Sequence, residues 1–560
     1  MAELIGWRLV SMALIGSDLV ARALQKQGVD TFFYIMGAPM LSVESAALAL
    51  GLRGVDVRHE QAAAMAAHAY ARLLNRPGVC MAASGPGTTN LITGVAHAFA
   101  DCTPVVALGG SSPESQSHKG TFQEIDQLAM LAPCTKWSDR VHRPERIPEL
   151  LDRAIREAMS GKPGPVYLDL PADVLFAEVD EERVEWPAPW DPAGRPRPAA
   201  APAEVRALTD LLAEAERPVV VSGMGVLWSE AEAELQTFVE AAGIPFYTTP
   251  QGRGAIPEDH ELCYTAARST AFREADLILI VGTRMNYIIG HASPPRFGAD
   301  AKIARIDISP EEIATSPRRL DVGVVADART ALTQLTGAIR SRVTQKNFAA
   351  WRDRLAEQNG SKLAEHERTL ADDAVPIHPL RLCRELRDFM DREAILCVDG
   401  QEILNYGRQV IPTYVPRHRL NSGTFGTMGV GLPLGLGAKV ACPDRPVIVL
   451  HGDGSFGMNA MEFDTAVRCE LPILVVISLN GGWTGDPEKE RPGRELGYTR
   501  FDKMAEALGG YGEYVEKPDD IRPALERAMA EVDSGRPALV NVVTDWRARA
   551  TTAAFTEYAT

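Results

Sequence analysis

Val447-Ile448-Val449-Leu450-His451-Gly452-Asp453-Gly454-Ser455-Phe456-Gly457 is the stretch from which the fold of this chain is best read. Four apolar residues, mostly β-branched, predict a buried strand, and the glycines after them predict a tight passage into a helix. A second such run, 473–479, ends at Asn480-Gly481-Gly482 after an intervening Ala/Glu/Phe-containing helix. Strand, helix and strand in this order predict neighbouring parallel strands whose carboxyl ends open on one crevice. Asp453 and Asn480 would then offer hard oxygens to one ion, with a carbonyl near Gly482 as a third protein ligand. Mg²⁺ asks for octahedral oxygen ligands and commonly shares them with phosphates. The NH groups of the turn, Gly454 among them, face such a diphosphate. A Gly-Asp-Gly turn alone is ordinary; the Asn at the end of the next strand carries the argument.

Two further segments converge on that crevice. Gly400-Gln401-Glu402 follows the strand 394–398 and opens a helix whose free NH groups suit a phosphate. In Asn421-Ser422-Gly423-Thr424-Phe425-Gly426-Thr427-Met428-Gly429-Val430-Gly431-Leu432-Pro433 the glycines permit close backbone approach to a flat ligand, and Met428 is the one bulky apolar projection. Near the start of the chain, Arg58-His59-Glu60-Gln61 leads into an Ala-rich helix, and Ser84-Gly85-Pro86-Gly87-Thr88-Thr89-Asn90 is its partner segment. Taken alone, Glu60 reads as a favourable charge on a helix dipole.

With 560 residues the chain exceeds one ordinary core, and about three domains are expected. Short β-branched runs at 79–83, 104–108, 166–170, 218–222, 277–281, 303–308, 394–398, 447–451, 473–479 and 538–543 alternate with Ala/Leu/Glu/Arg-rich segments. That alternation predicts an α/β chain of three doubly wound parallel sheets. Prolines at 187, 189, 192, 196, 198 and 202 predict an extended linker, so the domains are placed at 1–185, 203–345 and 375–545, with 546–560 a frayed tail or a lid. A net charge of −16 argues against a general nucleic-acid or anionic-membrane binder. The eight cysteines are scattered without a C-x-x-C pair, as expected of reduced thiols in a cytoplasmic protein. No run approaches the roughly 20 apolar residues of a membrane span. Ser17-Asp18 opens an amphipathic helix directly after the short apolar run 9–15, so no signal peptide is read there, and Tyr558-Ala559-Thr560 is not a peroxisomal address.

Together these residues resemble the thiamine-diphosphate-dependent enzymes of the acetolactate synthase and pyruvate decarboxylase superfamily. The matching pieces are His59-Glu60, Ser84-Gly85-Pro86-Gly87, Phe122-Gln123-Glu124, Gly426-Thr427-Met428-Gly429 and Gly452-Asp453-Gly454 followed by Asn480, in the family's order. The resemblance implies pyrimidine-binding, central Rossmann-like and diphosphate-binding domains, with thiamine diphosphate and Mg²⁺ as cofactors. By it, Glu60 would hydrogen-bond the aminopyrimidine ring, Met428 would prop the cofactor in a bent form, and Gly426 would accept from its amino group. Gly400, Gln401, Glu402, Gly454 and Ser455 would line the diphosphate, beside Asp453, Asn480 and Gly482 at the metal. The family's usual Asn-Asn pair is Leu479-Asn480 here, which retains the metal-binding second Asn. The two ends of the cofactor are held by different subunits in this superfamily, which implies a homodimer at minimum and a homotetramer as the expected assembly.

Narrower segments resemble the branch that acts on acyl-CoA thioesters. Thr265-Ala266-Ala267-Arg268-Ser269 and Gly282-Thr283-Arg284-Met285-Asn286-Tyr287 look like segments of 2-hydroxyacyl-CoA lyases and oxalyl-CoA decarboxylases, where acetolactate synthases carry G-x-R-F-D-D-R. Arg268 and Arg284 are therefore candidate substrate ligands, with surface or interface cations as the alternative, and ADP in the central domain stays open. Oxalyl-CoA decarboxylases show Tyr-Glu where this chain has Phe122-Gln123, whereas the lyases look like Phe-Gln. The implied reaction is cleavage of a 2-hydroxyacyl-CoA to formyl-CoA and an aldehyde or ketone. Its likeness to an actinobacterial lyase of branched substrates adds 2-hydroxyisobutyryl-CoA, which would release acetone. Gln123, Phe122 and the Met36-Gly37-Ala38 turn would meet the acyl group. Glu495, in the loop 483–495 with Asp486, Glu488 and Glu490, would be the second acid or base, a solvated acidic loop being the alternative. The competing readings are an oxalyl-CoA decarboxylase, an acetolactate synthase-like enzyme and a non-catalytic cofactor-binding protein.

Overall fold

The computed structural model describes residues 14–340, 348–483 and 492–550. The chain divides into two compact units, Met1–Arg195 and Pro196–Thr560. In the first, β1 (Thr31–Tyr34), β2 (Arg53–Asp56), β3 (Gly78–Ala82), β4 (Val105–Ser111), β5 (Trp137–Arg140) and β6 (Val166–Pro171) form a parallel sheet in the order β2-β1-β3-β4-β6-β5. The second unit holds two such sheets. One contains β7 (Pro218–Ser222), β8 (Phe246–Thr248), β9 (Leu277–Val281), β10 (Lys302–Asp307) and β11 (Val322–Val325) in the order β11-β10-β9-β7-β8. The other contains β12 (Ile395–Asp399), β13 (Arg419–Asn421), β14 (Val447–Gly452), β15 (Leu474–Leu479), β16 (Tyr511–Val515) and β17 (Ala538–Val543) in the order β13-β12-β14-β15-β17-β16. Helices connect successive parallel strands and cover both faces of the sheets, so β3, β9 and β12 are buried at every position.

The strand order reverses between β1 and β3, β7 and β9, and β12 and β14, and the first and third sheets turn back again at the edges β4-β6-β5 and β15-β17-β16. Such switch points leave a crevice at the carboxyl ends of the strands. In the first sheet the crevice is narrow enough that a Cβ on Gly37 would stand 2.6 Å from that of Ala83. In the third, Gly400 takes φ +124° and its Cβ would stand 3.2 Å from the Gly452 nitrogen, so an L side chain there is both strained and crowded.

Two local expectations are modified. The first helix is Gly16–Lys26, capped at Ile15 with Asp18 accepting its N–H at 3.0 Å, while the Ser17 hydroxyl is buried on the Leu175 carbonyl at 3.0 Å. The proline-rich stretch has no long regular element, yet it is anchored. Trp186 and Trp190 pack on the first unit's core, and the Trp190 N–H donates to Gln27 Oε1 at 2.7 Å. All eight cysteines are free thiols, and no helix among the described residues is long and apolar enough to cross a membrane. Residues 9–13, Asp486, Glu488, Glu490 and 551–560 lie outside the described residues.

Candidate functional site

A cleft opens at the carboxyl ends of β12, β14 and β15. Gly400, Gln401, Glu402, Met428, Asp453, Gly454, Ser455, Asn480 and Gly482 all line it, joined by Trp483, Asp545 and Ala548. The sheet explains the convergence: residues far apart in sequence follow adjacent strands. Asp453 begins the short helix Asp453–Met458 and is only 5% exposed. Its Oδ1 accepts from the Gly454 N–H and its Oδ2 from the Gly481 N–H, both at 2.7 Å. Burial pushes its pKa up to about 6 despite the NH groups of Gly454, Gly481, Gly482 and Asn480, and no basic side chain pairs with it among the described residues. A buried carboxylate without a counter-charge, beside an Asn amide oxygen and main-chain carbonyls, fits a hard divalent cation such as Mg²⁺.

The surroundings hold these groups in place. Asn480 Oδ1 accepts from the Gly482 N–H at 3.2 Å. His451, fully buried and kept neutral by that burial, lies with Nδ1 3.1 Å from Ser455 Oγ. Glu402 Oε2 accepts from the Ala550 N–H at 2.7 Å, which ties the helix Glu402–Val410 to the segment after β17. Gly426 sits in left-handed backbone at φ +70° and is not among the residues lining the cleft. The glycine loop is braced from the central sheet: Tyr287 Oη donates to the Thr424 carbonyl at 2.9 Å and Arg284 Nη2 lies 3.4 Å from Thr424 Oγ1. Glu495 is exposed, and its main chain bridges to Gly482, with Trp483 N–H donating to the Arg494 carbonyl at 2.7 Å. Glu495 is thus carried next to the clamp.

The first unit gathers its own set at the β1/β3 switch point. Glu60 opens the helix Glu60–Leu74 and its Oε2 accepts from Asn90 Nδ2 at 2.9 Å. Ser84 donates its backbone N–H to the Ala38 carbonyl at 3.1 Å and lies with Oγ 2.6 Å from Gln123 Oε1. Met36 and Phe122 project outward, 57% and 81% exposed. Gln127 is the buried support: it accepts from the Gly85 N–H at 2.6 Å and its Nε2 lies 2.9 Å from the Gly110 carbonyl, Tyr167 Oη and Asp169 Oδ1. Sequence reasoning gave no role to Asn90, Ser84 or Gln127. Their motifs were visible, but nothing in one dimension indicates which side chain meets which.

Arg268 stands in a positively charged pocket. Burial, together with Arg296, Arg253 and Arg408, pushes its pKa down to about 10, and its buried Nε and Nη2 have no hydrogen-bond partner among the described residues. Arg408, which the sequence did not single out, is likewise pushed to about 10 by burial and Arg253, and its Nε has no partner among the described residues. Glu258 neutralises Arg253 through two contacts. The remaining donors fit an anion with several oxygens. A cluster of metal-ligating types in the first unit, His68, His97 and Asp101, is buried where Arg72 already acts on the Asp101 carboxylate, so its charge is balanced without an ion.

Comparison with known proteins agrees with this geometry. The chain matches the N-terminal TPP binding domain of thiamine pyrophosphate enzymes over residues 15–130, their central domain over 205–335 and their C-terminal TPP binding domain over 404–542. It is 36% identical over 557 residues to a 2-hydroxyacyl-CoA lyase of Arabidopsis thaliana, covering 95% of each chain. It is 36% identical over 541 residues to an acetolactate synthase large subunit of Mycobacterium tuberculosis, covering 94% of this chain and 95% of the other. It is 34% identical over 551 residues to an oxalyl-CoA decarboxylase of Escherichia coli, covering 95% of each. Three matched domains on three parallel sheets, and relatives aligned along nearly the whole length, place this chain in the thiamine pyrophosphate enzyme family.

Proposed function

We propose that the chain is a thiamine-diphosphate-dependent 2-hydroxyacyl-CoA lyase that releases formyl-CoA and an aldehyde or ketone. The observation that carries this reading is the neutral Gln123 fixed against Ser84-Gly85 next to an outward-facing Phe122, where an acyl group with a hydroxyl is better accommodated than a carboxylate to be expelled. Asp453, Asn480 and the Gly482 carbonyl would hold Mg²⁺. Gly400, Gln401, Glu402, Gly454 and Ser455 would line the diphosphate, with Met428 against the rings and Gly426 accepting from the amino group. Bound thiamine diphosphate supplies the electron sink for breaking the C1–C2 bond. Glu60, steadied by Asn90, would exchange a proton with the pyrimidine ring through its carboxylate oxygens. Glu495 would take the 2-hydroxyl proton, and Gln123 with the Met36-Gly37-Ala38 turn would hold the acyl group. Arg268, supported by Arg408, offers the unpartnered donors that CoA phosphates need, and Arg284 would act through the Thr424 loop. ADP is a further candidate for the central sheet's switch point.

Exposed Met36 and Phe122 in the first unit, and Phe425, Met458 and Met461 in the second, support assembly of at least two chains, with a tetramer as the fuller form. Glu60 of one subunit would then serve Asp453 of another. Free thiols suit a reducing, cytoplasmic setting. The test is incubation of the purified protein with thiamine diphosphate, Mg²⁺ and, separately, 2-hydroxyisobutyryl-CoA, oxalyl-CoA and pyruvate, with products read by mass spectrometry. Formyl-CoA with acetone supports the lyase. Formyl-CoA with carbon dioxide supports the decarboxylase, and acetolactate overturns both.

A further inference from the structure

Gln123 occupies left-handed backbone, φ +60°, a conformation that a residue with a side chain seldom adopts unless its surroundings impose it. Those surroundings are visible. Glu124 accepts the His118 and Thr121 N–H groups and so ties the turn to itself. Gly85, at φ +59°, lies so close that a Cβ there would stand 2.6 Å from the Gln123 carbonyl and 2.8 Å from its Cβ. The Gly85 N–H is in turn fixed on Gln127, whose amide is locked to Asp169, itself 2.6 Å from Arg140 Nε.

Within this frame the Ser84 hydroxyl has one proton and two neighbouring acceptors, Gln123 Oε1 at 2.6 Å and the Ala38 carbonyl at 3.2 Å. The Ala38 carbonyl already receives the Ser84 N–H at 3.1 Å, so the shorter contact takes the proton. The amide oxygen of Gln123 is thereby occupied, and its Nε2 has no partner among the described residues.

We propose that Ser84 is a positioning residue that holds the Gln123 amide oxygen inward and presents its NH₂ as a hydrogen-bond donor to the acyl oxygen of the substrate. The proposal rests on the reading that Gln123 faces the acyl group. It narrows that reading: Gln123 supplies a donor to an oxygen that gains negative charge and is not the base that takes the hydroxyl proton. A glutamate at this position, with Ser84 still donating inward, would present an acceptor instead.

Wild-type turnover is measured first on a 2-hydroxyacyl-CoA, oxalyl-CoA and pyruvate. The substrate consumed tests the lyase reading, and the variants are compared on that substrate, so the two failures are separable. Ser84→Ala is expected to lower kcat about 10- to 100-fold, with KM and thiamine diphosphate affinity within about twofold of wild type, and to have no further effect in a Gln123→Ala background. Ser84→Cys, similar in size and a weaker donor, falls between. Unchanged turnover in Ser84→Ala, or equal losses in both backgrounds, overturns the proposal. Gln123→Glu is expected to be inactive at neutral pH and to regain activity as the new carboxylate protonates. Removing Ser84 from that variant moves the recovery up by about one pH unit, because a donor to the ionised form is lost. The same displacement appears without turnover in the pH dependence of Tm, and an unmoved limb in both measurements refutes the contact.

Discussion

Buried carboxylates show at the residue scale how much this chain leaves for its cofactors and for pH to balance. Asp453 has main-chain donors and no basic side-chain partner among the described residues, so Asp453→Ala is expected to lose retention of both Mg²⁺ and thiamine diphosphate while the fold persists. Metal analysis after gel filtration, with circular dichroism alongside, reads both. Glu60→Gln should abolish turnover, by at least about 100-fold, and leave cofactor binding measurable by calorimetry, since the Asn90 contact can persist while the exchangeable proton is lost. Glu44 lies outside the site: it is 1% exposed, both its oxygens lack partners among the described residues, and burial, with Asp56 adding repulsion, raises its pKa to about 8. A carboxyl whose folded pKa lies above its ordinary 4.5 binds its proton more tightly when folded, so stability falls as pH rises from about 4.5 to about 8. Glu44→Gln should therefore stabilise the protein at pH 7, by about 3 kcal/mol at most, with the gap closing toward pH 4.5 in thermal unfolding.

Whole strands and loops separate into what burial makes legible and what it does not. All ten apolar runs read in the sequence are strands, because a parallel sheet covered on both faces demands continuous apolar residues. The strands that escaped reading are β1 and the six sheet edges. Arg53-Gly54-Val55-Asp56 and Trp137-Ser138-Asp139-Arg140 are half solvated and polar, whereas β8, β13 and β1 are largely buried but only three or four residues long, too short to stand out as a run. The site follows the same division. Gly400, Asp453 and Asn480 could be placed together because each follows an apolar strand, whereas the brace from Tyr287 to Thr424 joins a central-sheet loop to the glycine loop and has no local signature. Tyr287→Phe removes one hydrogen bond from that brace. It is expected to weaken thiamine diphosphate binding about threefold to tenfold with Tm nearly unchanged, as measured by titration calorimetry.

For the whole molecule, the two compact units each hold half of the proposed chemistry, Glu60 in one and Asp453 in the other. If Glu60 of one subunit serves Asp453 of its partner, then Glu60→Gln and Asp453→Ala, each inactive alone, should recover activity when co-expressed. Randomly paired co-expressed chains are expected to reach about a quarter of wild-type turnover, because about half the dimers are mixed and each of those has one intact site of two, and a site confined to one chain would give none. The α/β class and every inner strand except β1 were legible in the sequence, as was the proposed pairing of Asp453 with Asn480, since these rest on periodicity and on residue types at fixed spacing. Only the tertiary structure decided that Ser84 meets Gln123, that Asn90 meets Glu60 and that Arg408 crowds Arg268. Those contacts depend on where strand order reverses and how closely glycines let loops approach, and both are set by packing between segments far apart in the chain.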